Sequence, residues 1–313
     1  MTYDLIIIGA GPAGLTAGIY ARSRKLNTLI LEAGDAGGQL VSLYPDKGIE
    51  NYPGCVLTQA EKLAKRIIAH ALNMGCILHE HEMVLDIENY DSKFRVITEK
   101  NVYEGKAVII ATGIGLFKPK KLNVPGEERF ENKGVYYKIP QKEDLVDRRV
   151  LFVGGGNSAL EMALIASEVA KTTYIVHRRS EFRADELIVE RVKQSNIKAI
   201  MNAEISEIRG DDVVRSVVLK GVDGKDKGEI ETEVVVISIG YIPDPKDIKR
   251  WKVELENDLI KVDTAMRTSR QGIFACGDVI TYSGKYKQIV TACGEAAIAA
   301  NSAYKYIMKP YWS

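Results

Sequence analysis

Gly9-Ala10-Gly11-Pro12-Ala13-Gly14 decides the fold of this 313-residue chain through what stands on either side of it. An apolar strand, Asp4 to Ile8, runs into the motif, a helical stretch from Leu15 to Arg24 leaves it, and a second strand, Asn27 to Leu31, ends in Glu32. A lone G-x-G-x-x-G string is weak. Strand, glycine turn, helix and an acid eighteen residues beyond Gly14 together mark the start of a dinucleotide-binding βαβ unit. The glycines let backbone approach a pyrophosphate at the positive end of a helix, and Glu32 can accept hydrogen bonds from a ribose diol.

The arrangement recurs once. Arg149 to Val153 reads as a strand, Gly154-Gly155-Gly156-Asn157-Ser158-Ala159 as the turn and Leu160 to Val169 as the helix. Eighteen residues beyond Ala159 stands His177, the first of His177-Arg178-Arg179, with Arg183 four residues after Arg179. A carboxylate there would repel a ribose 2′-phosphate, whereas guanidinium groups clamp one with charge-assisted, forked hydrogen bonds. The second motif therefore points to NADP. The first, with its carboxylate, points to a dinucleotide with free ribose hydroxyls, FAD or NAD. Because two such folds in one chain pass electrons between two cofactors, FAD is the reading for the first.

Three further segments fit. Val108 to Ile110 is a buried strand closing in the small-residue turn Ala111-Thr112-Gly113, and Val234 to Ile239 followed by Gly240 repeats that pattern after the second motif. Ile273 to Cys276 leads into Gly277-Asp278, where an aspartate can bind a ribityl chain. With the FAD fingerprint at the start and Gly277-Asp278 near the end, the first domain is expected to be discontinuous. The fold class is then α/β with two three-layer Rossmann-like domains, residues 1–113 and 241–313 binding FAD and an inserted 114–240 binding NADP.

Composition narrows the function. Lys and Arg number 43 against 42 Asp and Glu, a net charge of +1, so there is no bulk field to draw the chain onto nucleic acid or anionic lipid. No apolar run approaches the roughly 20 residues that span a bilayer. The opening Met-Thr-Tyr-Asp runs directly into a strand, which reads as cytoplasmic, without a signal peptide. The four cysteines, Cys55, Cys76, Cys276 and Cys293, are widely spaced and read as small buried hydrophobes in a reducing compartment. His79-Glu80-His81 puts two imidazoles on one side of a strand, but without further ligands no metal is assigned.

Together, GAGPAG, Gly37 to Leu40 (GGQL), Asn51 to Gly54 (NYPG), ATG, GGGNSA, HRR with Arg183-Ala184, and GD resemble the low-molecular-weight thioredoxin reductases over nearly the whole chain. Those enzymes carry a redox-active C-x-x-C before the second glycine motif; the matching stretch here, Gly134 to Gln141, has no cysteine. A thiolate is what exchanges with a partner disulfide, so that route is missing.

The chain is more similar to the thioredoxin-reductase-like ferredoxin-NADP reductases. The resemblance rests on Leu43 to Lys47, Gly134 to Tyr137, Arg178 to Ala184, and Thr281 to Lys287 leading into Gly294-Glu295-Ala296. It implies a homodimer with FAD and NADP(H), and Tyr44 stacked on the flavin ring. The implied FAD contacts also include Gly38, Gln39, Leu40, Asn51, Lys285 and Ile289, and the NADP contacts Ile239 and Gly240. Relatives continue into an extension that covers the other flavin face; here Lys309 to Ser313 follow the last helix, so either Tyr311 or Trp312 stands in or that face is open.

The expected reaction is hydride transfer from NADPH to FAD followed by single-electron steps to a ferredoxin-type carrier, with no side-chain acid, base or nucleophile. Lys285 and Lys287 read either as solvated charges or, with Lys47 and Lys118 to Lys121, as part of a basic docking surface. The crossings at Gly113 to Phe117 and Gly240 to Pro245 are expected to act as a hinge. A flavin reductase or oxidase, a disulfide reductase working through unpaired cysteines, and an NADPH-sensing flavoprotein stay open as alternatives.

Overall fold

The strand Thr2–Ile8 is buried over its last four residues, and its register fixes the first sheet. In the computed structural model, which describes residues 2–113, 118–242 and 249–308, it pairs in parallel with Thr28–Leu31 on one side and with Val102–Ile110 on the other. Ile77–His79 extends the sheet beyond Thr28–Leu31, also in parallel. Val102–Ile110 divides its far edge, its first half pairing antiparallel with Lys93–Thr98 and its second half parallel with Ile273–Ala275. Residues near the C-terminus thus complete a sheet begun at Thr2, which is why the Gly277-Asp278 turn emerges beside the first glycine motif. The helix Pro12–Ser23 packs against Ile289–Met308, whose buried stripe is alanine at Ala292, Ala296, Ala299, Ala300 and Ala303. Small side chains allow that close approach.

A second unit has its own sheet of five parallel strands, in the order Val135–Tyr136, Val234–Ile237, Arg149–Val153, Thr172–His177, Lys198–Met201. Side chains alternate across a strand, and here the two faces meet different partners. Leu151 and Val153 join Ile205, Val217 and Leu219 of an antiparallel meander, Ala203–Gly210, Val214–Gly221 and Asp226–Glu231. Val150 and Phe152 join Leu160, Ala163 and Val192 of the helices Asn157–Ser167 and Glu186–Gln194. Both faces are covered, as a parallel sheet requires.

The units comprise residues 1–117 with 243–313, and 118–242. The second reaches past Gly240 because Tyr241–Ile242 pairs antiparallel with Lys118–Pro119. Residues 114–117 and 243–248, which hold most of the expected hinge, and Tyr311 and Trp312 lie outside the described residues.

Both glycine-motif helices begin three residues earlier than expected, at Pro12 and Asn157. Gly11 and Gly156 are extended N-caps, so each helix starts inside its motif, and in the first proline's fixed φ suits the first helical position. Among the described residues, no helix is long and apolar enough to cross a membrane.

Candidate cofactor-binding sites

The first glycine motif is packed without spare room. A Cβ on Gly9 would overlap the Ala111 carbonyl oxygen, and one on Gly14 would overlap the carbonyl oxygen of Gly9. A Cβ on Gly38 would lie 2.9 Å from Gly11 Cα, and one on Gly277 2.9 Å from Ala13 Cβ. Four segments far apart in sequence, around residues 9–14, 38, 111 and 277, therefore close on one point.

Side chains link the same segments. Gln39 Nε2 donates to Asp278 Oδ2 at 3.1 Å, and Tyr44 Oη donates to Gln39 Oε1 at 3.3 Å. Lys47 Nζ lies 5.1 Å from the centre of the Tyr44 ring, a cation over one aromatic face. Asn51 Nδ2 donates to Gln288 Oε1 at 3.2 Å, next to Ile289, which opens the last helix. Leu40 is buried in the core. Glu32 does more than face a ribose: its Oε2 accepts from Ala10 N at 2.7 Å and its Oε1 from Gly34 N at 2.9 Å. Each carboxylate oxygen keeps a second lone pair for a diol. Among the described residues Thr112 Oγ1 is buried without a hydrogen-bond partner, beside Gly113 at φ +63. A bare backbone floor, a helix N-terminus, an acid and an unpaired hydroxyl fit an FAD.

The second motif is built the same way. A Cβ on Gly154 would overlap the Ser238 carbonyl oxygen, whereas one on Gly156 would meet nothing within 4 Å, so the N-terminus of the helix Asn157–Ser167 is open. Ser158 at its start is exposed, Ala159 is buried, and Ile239 packs on the core ahead of Gly240 at φ +95. Asn157 anchors a neighbouring loop: its Nδ2 donates to Asp185 Oδ2 and its Oδ1 accepts from Asp185 N, both at 2.8 Å. Arg183 N donates to Gly155 O at 2.7 Å. The loop bearing Arg183 is thereby held over the motif, and Arg178, Arg179 and Arg183 are exposed. This cradle fits a phosphorylated nicotinamide dinucleotide.

His177 has a different role from the one its place in the sequence suggests. It is 8% exposed, stacked on Phe182 with ring centroids 5.7 Å apart, and seated where Gly155 lacks a side chain. Burial, aided by the charges of Arg179, Arg178 and Arg183, pushes its pKa below the ordinary 6.5. A neutral imidazole is a wedge under the loop, not a member of a cationic clamp.

Other expectations are corrected. Lys285 is neither solvated nor part of a basic surface: its side chain is 7% exposed and lies 2.6 Å from Glu295 Oε1. Lys121 lies 3.2 Å from Glu128 and 3.4 Å from Glu131, so it shares its surface with two carboxylates. The strand ends at His79, whose Nδ1 lies 3.0 Å from Tyr103 Oη, while His81 has φ 54 and faces Asp35, so the two imidazoles diverge. Cys76 and Cys276 are buried, but Cys55 and Cys293 are partly exposed. Cys55 sits in the turn after Asn51-Tyr52-Pro53-Gly54, and Cys293 lies 3.9 Å from Tyr52 Oη.

The cysteine-free stretch is structural. Val135 is buried within the parallel sheet, and Tyr137 Oη donates at 3.0 Å to Glu127 Oε1, a carboxylate that also accepts from Leu122 N and Asn123 N. Burial and that carboxylate push the tyrosine pKa upward, keeping it a protonated donor. Asp185 belongs to no motif; Phe182, Tyr282 and Glu295 fall within the stretches that carry the family resemblance, but their partners, His177, Glu295 and the Gly277 amide, emerge only from the fold.

The model of the pyridine nucleotide-disulphide oxidoreductase family matches residues 3–296. A ferredoxin-NADP reductase of Thermus thermophilus is 38% identical over 309 residues, 97% of this chain and 92% of its own. The crystal structure of T. acidophilum thioredoxin reductase superposes with a TM-score of 0.91 at 34% identity, over 98% of this chain and 99% of that one. That of Lactococcus lactis thioredoxin reductase gives 0.89, with the same identity and coverage. The chain belongs to the pyridine nucleotide-disulphide oxidoreductase family, flavoprotein enzymes whose cofactors are FAD and NADP(H).

Proposed function

We propose that the protein passes electrons between NADP(H) and a ferredoxin-type one-electron carrier through FAD, with no redox disulfide. The first unit holds FAD and the second holds NADP(H). The observation that carries the reading is the Gly134–Gln141 stretch: where dithiol relatives place their cysteines, this chain has two tyrosines packed into the second unit. The name of the Thermus relative supports the same acceptor.

Bound FAD supplies the exchange between a two-electron donor and a one-electron acceptor. The chain's residues position and sort. Gly9, Gly11 and Gly14 would admit the pyrophosphate, Glu32 would bind the adenosine ribose, and Asp278, steadied by Gln39, would take the ribityl chain. Tyr44, whose hydroxyl donates to Gln39, would lie against the flavin ring. Arg178, Arg179 and Arg183 select the 2′-phosphate of NADP(H).

A thiol route would have to run through Cys55 and Cys293. Cys276 is fully buried, and burial, with Glu295 adding to it, pushes its thiol far above the ordinary range, so it carries no reactive thiolate. Replacing Cys55 and Cys293 together by Ala should leave NADPH-dependent cytochrome c reduction within about twofold, the range of partly exposed substitutions that carry no chemistry. A loss of about tenfold or more, at unchanged flavin content, would show that a thiol carries the electrons.

A further inference from the structure

Glu295 lies on the last helix with its side chain 5% exposed. Its Oε1 accepts from Tyr282 Oη at 2.8 Å and from Lys285 Nζ at 2.6 Å. Its Oε2 accepts from Gly277 N at 2.9 Å and from Lys285 Nζ at 2.7 Å. Two carboxylate oxygens offer about four lone-pair directions, and all four are used. Glu295 has no capacity left for a ligand; it joins three pieces of chain, the Gly277 turn, the Tyr282–Lys285 loop and its own helix. The Tyr282 hydroxyl, pushed up to about 12 by burial and this carboxylate, stays a donor.

The Gly277 turn is also pressed onto Ala13, and the next residue, Asp278, accepts from Gln39, which in turn accepts from Tyr44. The position of Gly277 N therefore propagates to Asp278, Gln39 and Tyr44. We infer that Glu295 is a positioning residue for flavin binding: it fixes the Gly277-Asp278 turn through the Gly277 amide, while Lys285 only neutralises it. The inference rests on the reading of the first unit as the FAD domain.

A buried carboxylate without its cation is costly, so single variants confuse folding with flavin binding. Two double variants separate them. In Lys285→Met/Glu295→Gln both charges go but the amide oxygen still accepts from Gly277 N. In Lys285→Met/Glu295→Leu the charges go and the acceptor goes too. FAD dissociation constants and the visible circular dichroism of the bound flavin would be compared, with the unfolding midpoint of each flavin-free protein alongside.

The expected result is similar unfolding midpoints, near wild-type FAD affinity and spectrum for the Gln variant, and affinity at least about tenfold weaker with an altered spectrum for the Leu variant, as loss of a buried hydrogen bond predicts. Equal FAD affinities in the two variants, both tight or both weak, would overturn the positioning role. Failure of the wild-type protein itself to bind FAD would instead reject the reading of the first unit.

Discussion

Replacing Arg178 and Arg179 together by Ala should raise KM for NADPH by about 10²-fold or more. A hydrogen bond to a charged group contributes about 1.5–3 kcal/mol, two such bonds about 3–6 kcal/mol, and each 1.4 kcal/mol is about tenfold. Partial exposure of the arginines to water sets the expectation at the lower end. NADH lacks the 2′-phosphate, so its KM should change by less than about threefold, a rim effect with no charge partner. On the proposed reading His177 adds nothing to the discrimination, because it is buried and shifted toward its neutral form. Steady-state kinetics with both nucleotides checks this; equal losses for the two would mean that the arginines hold the loop and do not read the phosphate.

Gly14→Ala should have the second largest effect. Its Cβ would overlap Gly9 O and lie 2.9 Å from Gly9 C and 3.4 Å from Ile7 Cγ2. The first two are backbone atoms of the turn, so nothing can rotate away and the turn itself must open. Overpacking of this kind costs about 1–3 kcal/mol or more, and the flavin retained on purification should fall about tenfold. Gly11→Ala is the control. Its Cβ would meet only Gly38 Cα, at 3.8 Å, an ordinary contact, so the flavin-free protein should keep its unfolding midpoint. Equal stability and flavin content in Gly14→Ala and wild type would contradict the tight packing of the motif.

The parts of this molecule readable in sequence are those where chemistry is local. Gly9 to Gly14 with Glu32, and Gly154 to Ala159 with the arginines, are spaced by the βαβ unit itself, so counting residues finds them. The start of each helix was misplaced because helical periodicity begins to show only at Leu15 and Leu160, after the cap and first turn. His177 illustrates the limit of counting. The eighteen-residue offset lands on the right strand end, but the ring turns inward because Gly155, twenty-two residues earlier, leaves room for it.

Lys285 could be read as solvated because a lysine between glycine, tyrosine and a second lysine has no visible partner. Its carboxylate stands ten residues on, on a helix whose polar position at Glu295 faces the core. Asn157 and Asp185 are likewise 28 residues apart and meet only in the fold. Long-range polar pairs carry no periodic signal, so the clamps behind the binding residues were invisible where the binding residues themselves were not.

The most direct measurement is NADPH-dependent reduction under anaerobic conditions by the FAD-loaded protein, with cytochrome c and added ferredoxin in one arm and thioredoxin with a chromogenic disulfide in the other. The account predicts a large ferredoxin-dependent rate and no thioredoxin-dependent turnover. Turnover that requires thioredoxin would contradict it, because it would show that this chain drives disulfide exchange without the cysteine pair of its dithiol relatives.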